Sequence, residues 1–196
     1  MSTDTHTSVQ SNFDFTKTLV TALIGAIIAQ LIILFIGWAK NAYLLKQKRK
    51  LIVDDLTNQL TVLSRLEDTL TELDKKFEKR DTLTYTSDAF HDLHNDIYES
   101  IPKNDLHKIF KSNVFKLVNI YKSIDFLNEY SVANIYNTYL QKTQIHIKEK
   151  ESETNHDYFC QHHIHFIEMA RAQIKNNLDT ISSIQKETME IIKLYD

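Results

Sequence analysis

Residues 51–196 contain no glycine, and the only proline in the chain is Pro102. Hairpin turns and bulges rely on glycine wherever φ must become positive at little cost. A stretch this long without one does not build a sheet, so long helices joined by a few polar loops remain. The predicted fold class is all-α.

Both glycines, Gly25 and Gly37, lie in the second constraining feature. Thr18–Ala39, TLVTALIGAIIAQLIILFIGWA, is 22 residues without a charge. At 1.5 Å per residue it reaches about 33 Å, enough for a hydrocarbon layer of about 30 Å. Its twelve Leu, Ile, Val and Phe residues favour insertion by about 4–7 kcal/mol, more than Gln30 and two threonines remove. A soluble core helix seldom stays apolar on every face for six turns. A cleaved signal peptide would have a more basic start, a shorter apolar run and a small-residue cleavage site. The run is therefore expected to be a single transmembrane helix.

Flanking charge predicts its orientation. Lys17 precedes the run and is offset by Asp4 and Asp14, whereas Lys40, Lys46, Lys48, Arg49 and Lys50 follow it. That expectation puts residues 1–17 outside as a short tail and 40–50 inside as a basic juxtamembrane segment. Residues 51–196 then form a cytoplasmic helical domain at the plasma (inner) membrane, with Trp38 and Tyr43 at the inner interface. The basic run KQKRK, residues 46–50, fixes topology and can also attract anionic headgroups. Ala22, Gly25, Ala26 and Ala29 make a small-residue stripe that lets two spans approach closely, with Gln30 able to bond across the contact.

Residues 1–50 hold six basic and two acidic side chains, so a net charge of −3 for the whole leaves about −7 on residues 51–196. An acidic domain argues against nucleic acid as partner. A lone cysteine, Cys160, excludes an intramolecular disulfide and fits a reducing compartment.

Helical periodicity covers the domain. Ile52, Leu56, Leu60, Leu63, Leu66, Leu70, Leu73 and Phe77 recur at near-heptad spacing, with one irregular step at Leu66. The pattern fades over 78–86. A second helix is expected from Ser87, carrying Phe90, Leu93 and Ile97 and ending at Pro102. A third, capped by Asn104, carries Leu106, Phe110, Leu117, Tyr121, Ile124 and Leu127. A break near Tyr130 and Ser131 precedes a fourth helix with Ile135, Tyr139 and Ile145. Residues 148–156, KEKESETNH, read as a solvated loop. The last helix, about 157–194, has the stripe His163, Ile167, Ala170, Ile174, Leu178, Ile181, Ile184 and Ile191. The expected arrangement is an antiparallel bundle with long, coiled-coil-like first and last helices, paired within one chain or between chains.

Histidine is the one enriched reactive type, with nine residues. His91 and His94 share a helical face, and His162, His163 and His165 cluster beside Asp157 and Cys160. Metal-ligand candidates are therefore His91, His94, His162 and His165. A di-iron bundle requires a Glu-x-x-His on each of two helices; here only Glu153–His156 qualifies, inside the polar loop. No metal site and no cofactor are predicted. Without glycine there is no nucleophile elbow and no phosphate-cradling loop, so no catalytic residues, enzymatic activity or small-molecule substrate are expected. Tyr121, Tyr130, Tyr136 and Tyr139 read as core and boundary aromatics.

One span, a leucine-rich helix and a bundle containing LVNIYKSIDFLNEYS resemble small bacterial membrane proteins, some encoded near phage-defence genes. The alternative reading is an oligomerising membrane effector, for example a bacterial phage-defence or toxin-like protein, whose cytoplasmic bundle senses a signal or partner. The residues themselves point first to a membrane-tethered interaction or scaffold protein, partnered by the bilayer and by itself or another helical protein. A histidine-based metal or pH sensor is the third reading.

Overall fold

The computed structural model describes residues 5–79, 93–150 and 156–195, with side chains for 17–79, 93–148 and 163–195. Nearly all described residues are helical and none lies in a strand. The helices are α1 (Thr5–Glu78), α2 (Asp96–Ser100), α3 (Lys103–Phe110), α4 (Val114–Glu129), α5 (Val132–Lys150) and α6 (His156–Tyr195). A 3-10 turn, Lys111–Asn113, joins α3 to α4.

The chain divides into two compact units, Met1–Gln47 and Lys48–Asp196, and α1 crosses the boundary. In the first unit every side chain from Lys17 to Leu44 is exposed. α1 includes a segment long and apolar enough to cross a membrane, with a mean hydropathy of 2.8 and none of it buried.

The second unit is a bundle of three long elements. Arg171 on α6 grips Asp74 on α1 through Nε–Oδ1 (2.8 Å) and Nη2–Oδ2 (3.1 Å), and Gln185 reaches back to Glu67. Sequence number rises along one helix as it falls along the other, so α6 runs antiparallel to this part of α1. Lys116–Glu190 and Asn177–Tyr130 set α4 antiparallel to α6 in the same way. α5 continues in the direction of α4: from Tyr130 through Lys142 to His146 its partners on α6 step down from Asn177 through Met169 to Phe166. Thus α4 and α5 form one kinked rod lying along the 40-residue α6, as local antiparallel packing across a short connection favours. The stripes on α1 and α6 are satisfied within one chain: Ile52, Leu56, Leu63, Leu70, Ile174, Ile181 and Ile191 have no accessible surface.

Two features of the stripes differ from expectation. Leu60 and Leu178 are only half-buried; Gln59 (3 % exposed) and Asn177 (1 %) face inward instead. With Gln59 the seam of α1 runs 52, 56, 59, 63, 66, 70, 73 and 77, an unbroken alternation of four and three, with Val53 and Asp55 buried beside it. With Asn177 and Thr188, α6 shows the same alternation at 167, 170, 174, 177, 181, 184, 188 and 191. The irregular step arises from choosing the apolar neighbour of a polar core residue. Strict 3.5-residue spacing is what keeps a seam facing its partner along the whole length of a helix.

The middle of the unit also differs. The expected second helix shortens to α2: Leu93–Asn95 is not helical, and Ser87 and Phe90 lie outside the described residues. Its end before Pro102 is as expected. Asn104 is inside α3, with Pro102 at the cap position. The third helix is not continuous but breaks at Lys111, whose φ of 49° is the one positive value among described non-glycine residues. Tertiary contacts support that break. The Tyr195 hydroxyl donates to the Phe110 carbonyl (2.8 Å) and accepts from Asn113 Nδ2 (3.0 Å), while the Tyr195 ring packs edge-on to Phe110. The break at Tyr130–Ser131 is as expected, with Ser131 Oγ accepting from the Asn134 N–H at the start of α5. Helix α5 continues to Lys150 and α6 begins at His156, so both ends of the expected 148–156 loop are helical, and Ile145 on α5 is exposed rather than part of a buried stripe; 151–155 lie outside the described residues.

Candidate functional site

Three groups of residues bear on function: the exposed apolar helix, its basic flank and a polar layer inside the bundle. On the helix, Ala22, Gly25, Ala26 and Ala29 are all exposed. A Cβ added at Gly25 or Gly37 meets nothing within 4 Å, so neither glycine serves a contact within its own chain. Thr21 bonds back to the Lys17 carbonyl (2.8 Å), which hides its hydroxyl within the helix. Phe35 and Trp38 lie against each other, ring centroids 6.0 Å apart.

In the basic flank, Lys40, Lys46 and Lys50 are exposed and Arg49 half-exposed. Lys48 differs: its Nζ lies 2.6 Å from Asp105 Oδ2 on α3. That bond, chiefly, holds the Asp105 carboxyl below the usual carboxylate range. Lys48 therefore ties α3 to the first turn of the second unit, a role the topology argument did not foresee.

The polar layer sits where helices are interrupted. Gln59 Nε2 donates to the His94 carbonyl (2.9 Å), and Asn128 Nδ2 donates to the Leu93 carbonyl (3.0 Å). Together they satisfy the non-helical segment before α2. Asn177 Nδ2 donates to the Tyr130 carbonyl at the α4–α5 kink (2.6 Å) while its Oδ1 accepts from Gln173 (3.0 Å). A buried carbonyl left without a donor would cost about 1–3 kcal/mol, which is why amides occupy these seam positions. Asp55 (7 % exposed) accepts a bond from the Tyr121 hydroxyl (2.5 Å), and Tyr98 stacks on Tyr121 with centroids 4.3 Å apart. Burial pushes the Asp55 carboxyl above its ordinary value, against the bonds from Tyr121 and Gln59. Burial also pushes the Tyr121 phenol far up, so it stays protonated and acts as a fixed donor. The layer holds a shape; its tyrosine is not a base, and its carboxylate is walled in.

His94 and His165 are exposed, His94 engaging the fold through its main chain. His91 lies outside the described residues, as do the side chains of Asp157, Cys160, Gln161 and His162. Among the described residues no group of three or more His, Cys, Asp or Glu is placed to hold a metal ion. Two further histidines pack inward: His146 (7 % exposed), which the sequence reading did not single out, against Phe166, and the half-buried His163, which the stripe of the last helix includes, against Tyr139.

Two open grooves mark the surface of the second unit. One, of about 410 Å³, lies between α5 and α6 and is lined by Tyr130, Ile135, Tyr139, Phe166 and Met169 among others. The other, of about 540 Å³, lies between α2, α3 and α4. Comparison of the chain with family models, with curated proteins and with solved structures gives no match.

Proposed function

We propose that this chain is a membrane-tethered helical interaction protein without catalysis of its own. The observation that carries the reading is the Thr18–Ala39 segment. Its 22 uncharged residues are exposed on all sides, and none of the apolar surface is covered within the chain. So large an apolar surface is stable only when lipid or protein covers it. The lysines at 40, 46, 48 and 50 with Arg49, against Lys17 alone before the run, favour a cytoplasmic bundle. The bundle then presents its surface to a second copy or to another helical protein at the inner face of the plasma membrane. Span contact through Ala22, Gly25, Ala26 and Ala29 supplies self-association.

Membrane fractionation tests the tether: the intact chain is expected in the pellet after alkaline washing, and a reporter fused after Asp196 is expected to be active only inside. Recovery in the aqueous wash, or an active reporter outside, overturns the reading. For the span contact, Gly25→Leu and Ala29→Leu are expected to reduce crosslinked dimer in membranes. The added side chain at Gly25 has no neighbour in its own chain, so a loss reports a contact between chains. Unchanged dimer would remove the stripe from the proposal.

A further inference from the structure

We infer that the corner formed by α3, the 3-10 turn and the start of α4 rests on anionic lipid headgroups, a second membrane contact beside the span. This rests on the tether reading above. Its first support is charge. Residues 51–196 hold 17 basic and 24 acidic side chains; five of the basic and one of the acidic fall within 103–122, leaving twelve against twenty-three elsewhere. An otherwise acidic unit thus concentrates lysine at one corner. Within that stretch the single acid, Asp105, is compensated by Lys48 at 2.6 Å and Lys108 at 3.7 Å, while Lys116 is paired with Glu190 of α6 at 2.7 Å. Lys103, His107, Lys108 and Lys111 are exposed along α3 and its end, around buried Leu106 and Phe110. No ion pair of Lys103 or Lys111 is found among the described residues.

The second support is apolar. Phe115, at the start of α4, is 72 % exposed, more than any other large hydrophobic among the described residues, those of the apolar run included. Leu194 is 63 % exposed, next to the Tyr195 that bonds Phe110. Exposed apolar side chains among lysines are the pattern by which a protein surface enters the interfacial zone of an anionic bilayer.

The third support is reach. Lys48, bonded to this corner through Asp105, follows Ala39, the last residue of the apolar run, by nine positions. Nine residues span about 14 Å as helix and about 32 Å when fully extended. A patch tethered so closely meets the surface at high effective concentration, so modest attraction suffices. A lipid surface is the partner that the charge, the exposed ring and the tether all fit.

The test uses the full chain in nanodiscs of bromine-labelled lipid, prepared with phosphatidylcholine alone or with added phosphatidylglycerol. Trp38 is the only tryptophan, so the unaltered chain reports the span. A Trp38→Phe, Phe115→Trp chain reports the corner. The expected result is an indole at position 115 that is blue-shifted and quenched in anionic discs. Its quenching is expected to fall severalfold in phosphatidylcholine alone and in the added Lys103→Glu, Lys108→Glu, Lys111→Glu background. An unquenched indole at 115 beside a quenched Trp38 overturns the inference and leaves the tether standing. Quenching indifferent to lipid charge and to the lysines also overturns it. An unquenched Trp38 in the unaltered chain defeats the tether reading itself.

Discussion

Replacing Tyr121 with phenylalanine tests how the bundle tolerates a carboxylate in its core. The substitution deletes one hydroxyl and keeps the ring, which is 1 % exposed and stacked on Tyr98. The lost bond is donated to Asp55, itself 7 % exposed. A bond to a charged buried group contributes about 1.5–3 kcal/mol, against about 0.5–1.5 for a neutral one. For a chain of this size that corresponds to roughly 3–12 °C in Tm at neutral pH. The sign of the pH dependence follows from burial. The folded-state pKa of Asp55 is raised above 3.8, so folding favours the protonated acid. That stabilisation is fully present below 3.8 and is lost as pH rises through the folded value. Tyr121→Phe is expected to hurt most at neutral pH, where the carboxylate is ionised, and least in acid, where the bond it removes is neutral. Helical ellipticity of the full chain in detergent, followed on heating at several pH values and always relative to the parent, measures this. Asp55→Asn is expected to raise stability at neutral pH and to shrink the effect of Tyr121→Phe. A penalty below about 0.5 kcal/mol at neutral pH, or one equal at all pH values, would refute the argument.

Four further outcomes are expected. Lys111→Gly, at φ 49°, relieves backbone strain of about 1–3 kcal/mol, offset by about 0.4–1 kcal/mol of unfolded-chain entropy; a higher Tm is the check, and a lower one counts against the strained turn. Asn177→Ala leaves the Tyr130 carbonyl without its 2.6 Å donor and should cost about 1–3 kcal/mol, with faster amide exchange localised to the α4–α5 kink. Ile174→Ala, in a site with no accessible surface, should cost about 2–5 kcal/mol. Phe115→Ala, 72 % exposed, should leave Tm unchanged within about 0.5 kcal/mol, and equal effects of these two would contradict the assignment of core and surface.

Much of this molecule was legible in its residues. Absence of glycine beyond Gly37 excluded sheets, and an uncharged run of 22 residues marked the segment that the folded chain leaves bare. Leu56, Leu63 and Leu70 on α1, with Ile167, Ile174 and Ile181 on α6, were identifiable as seam residues because apolar side chains leave water wherever a helix offers them a common face. The breaks at Pro102 and at Tyr130–Ser131 were legible for equally local reasons.

What the tertiary structure alone decided is where polar groups enter the seam. Periodicity read by hydrophobicity chose Leu60 and Leu178; the fold buries Gln59 and Asn177, because His94 and Tyr130, on other elements, present carbonyls that require a donor. The break at Lys111 has the same origin, since the Phe110 carbonyl it frees is satisfied by Tyr195, 85 residues later. A hydrogen-bond requirement created by one helix ending beside another has no signature in either helix's own sequence. Apolar burial follows from each segment separately; polar satisfaction exists only once the segments have met.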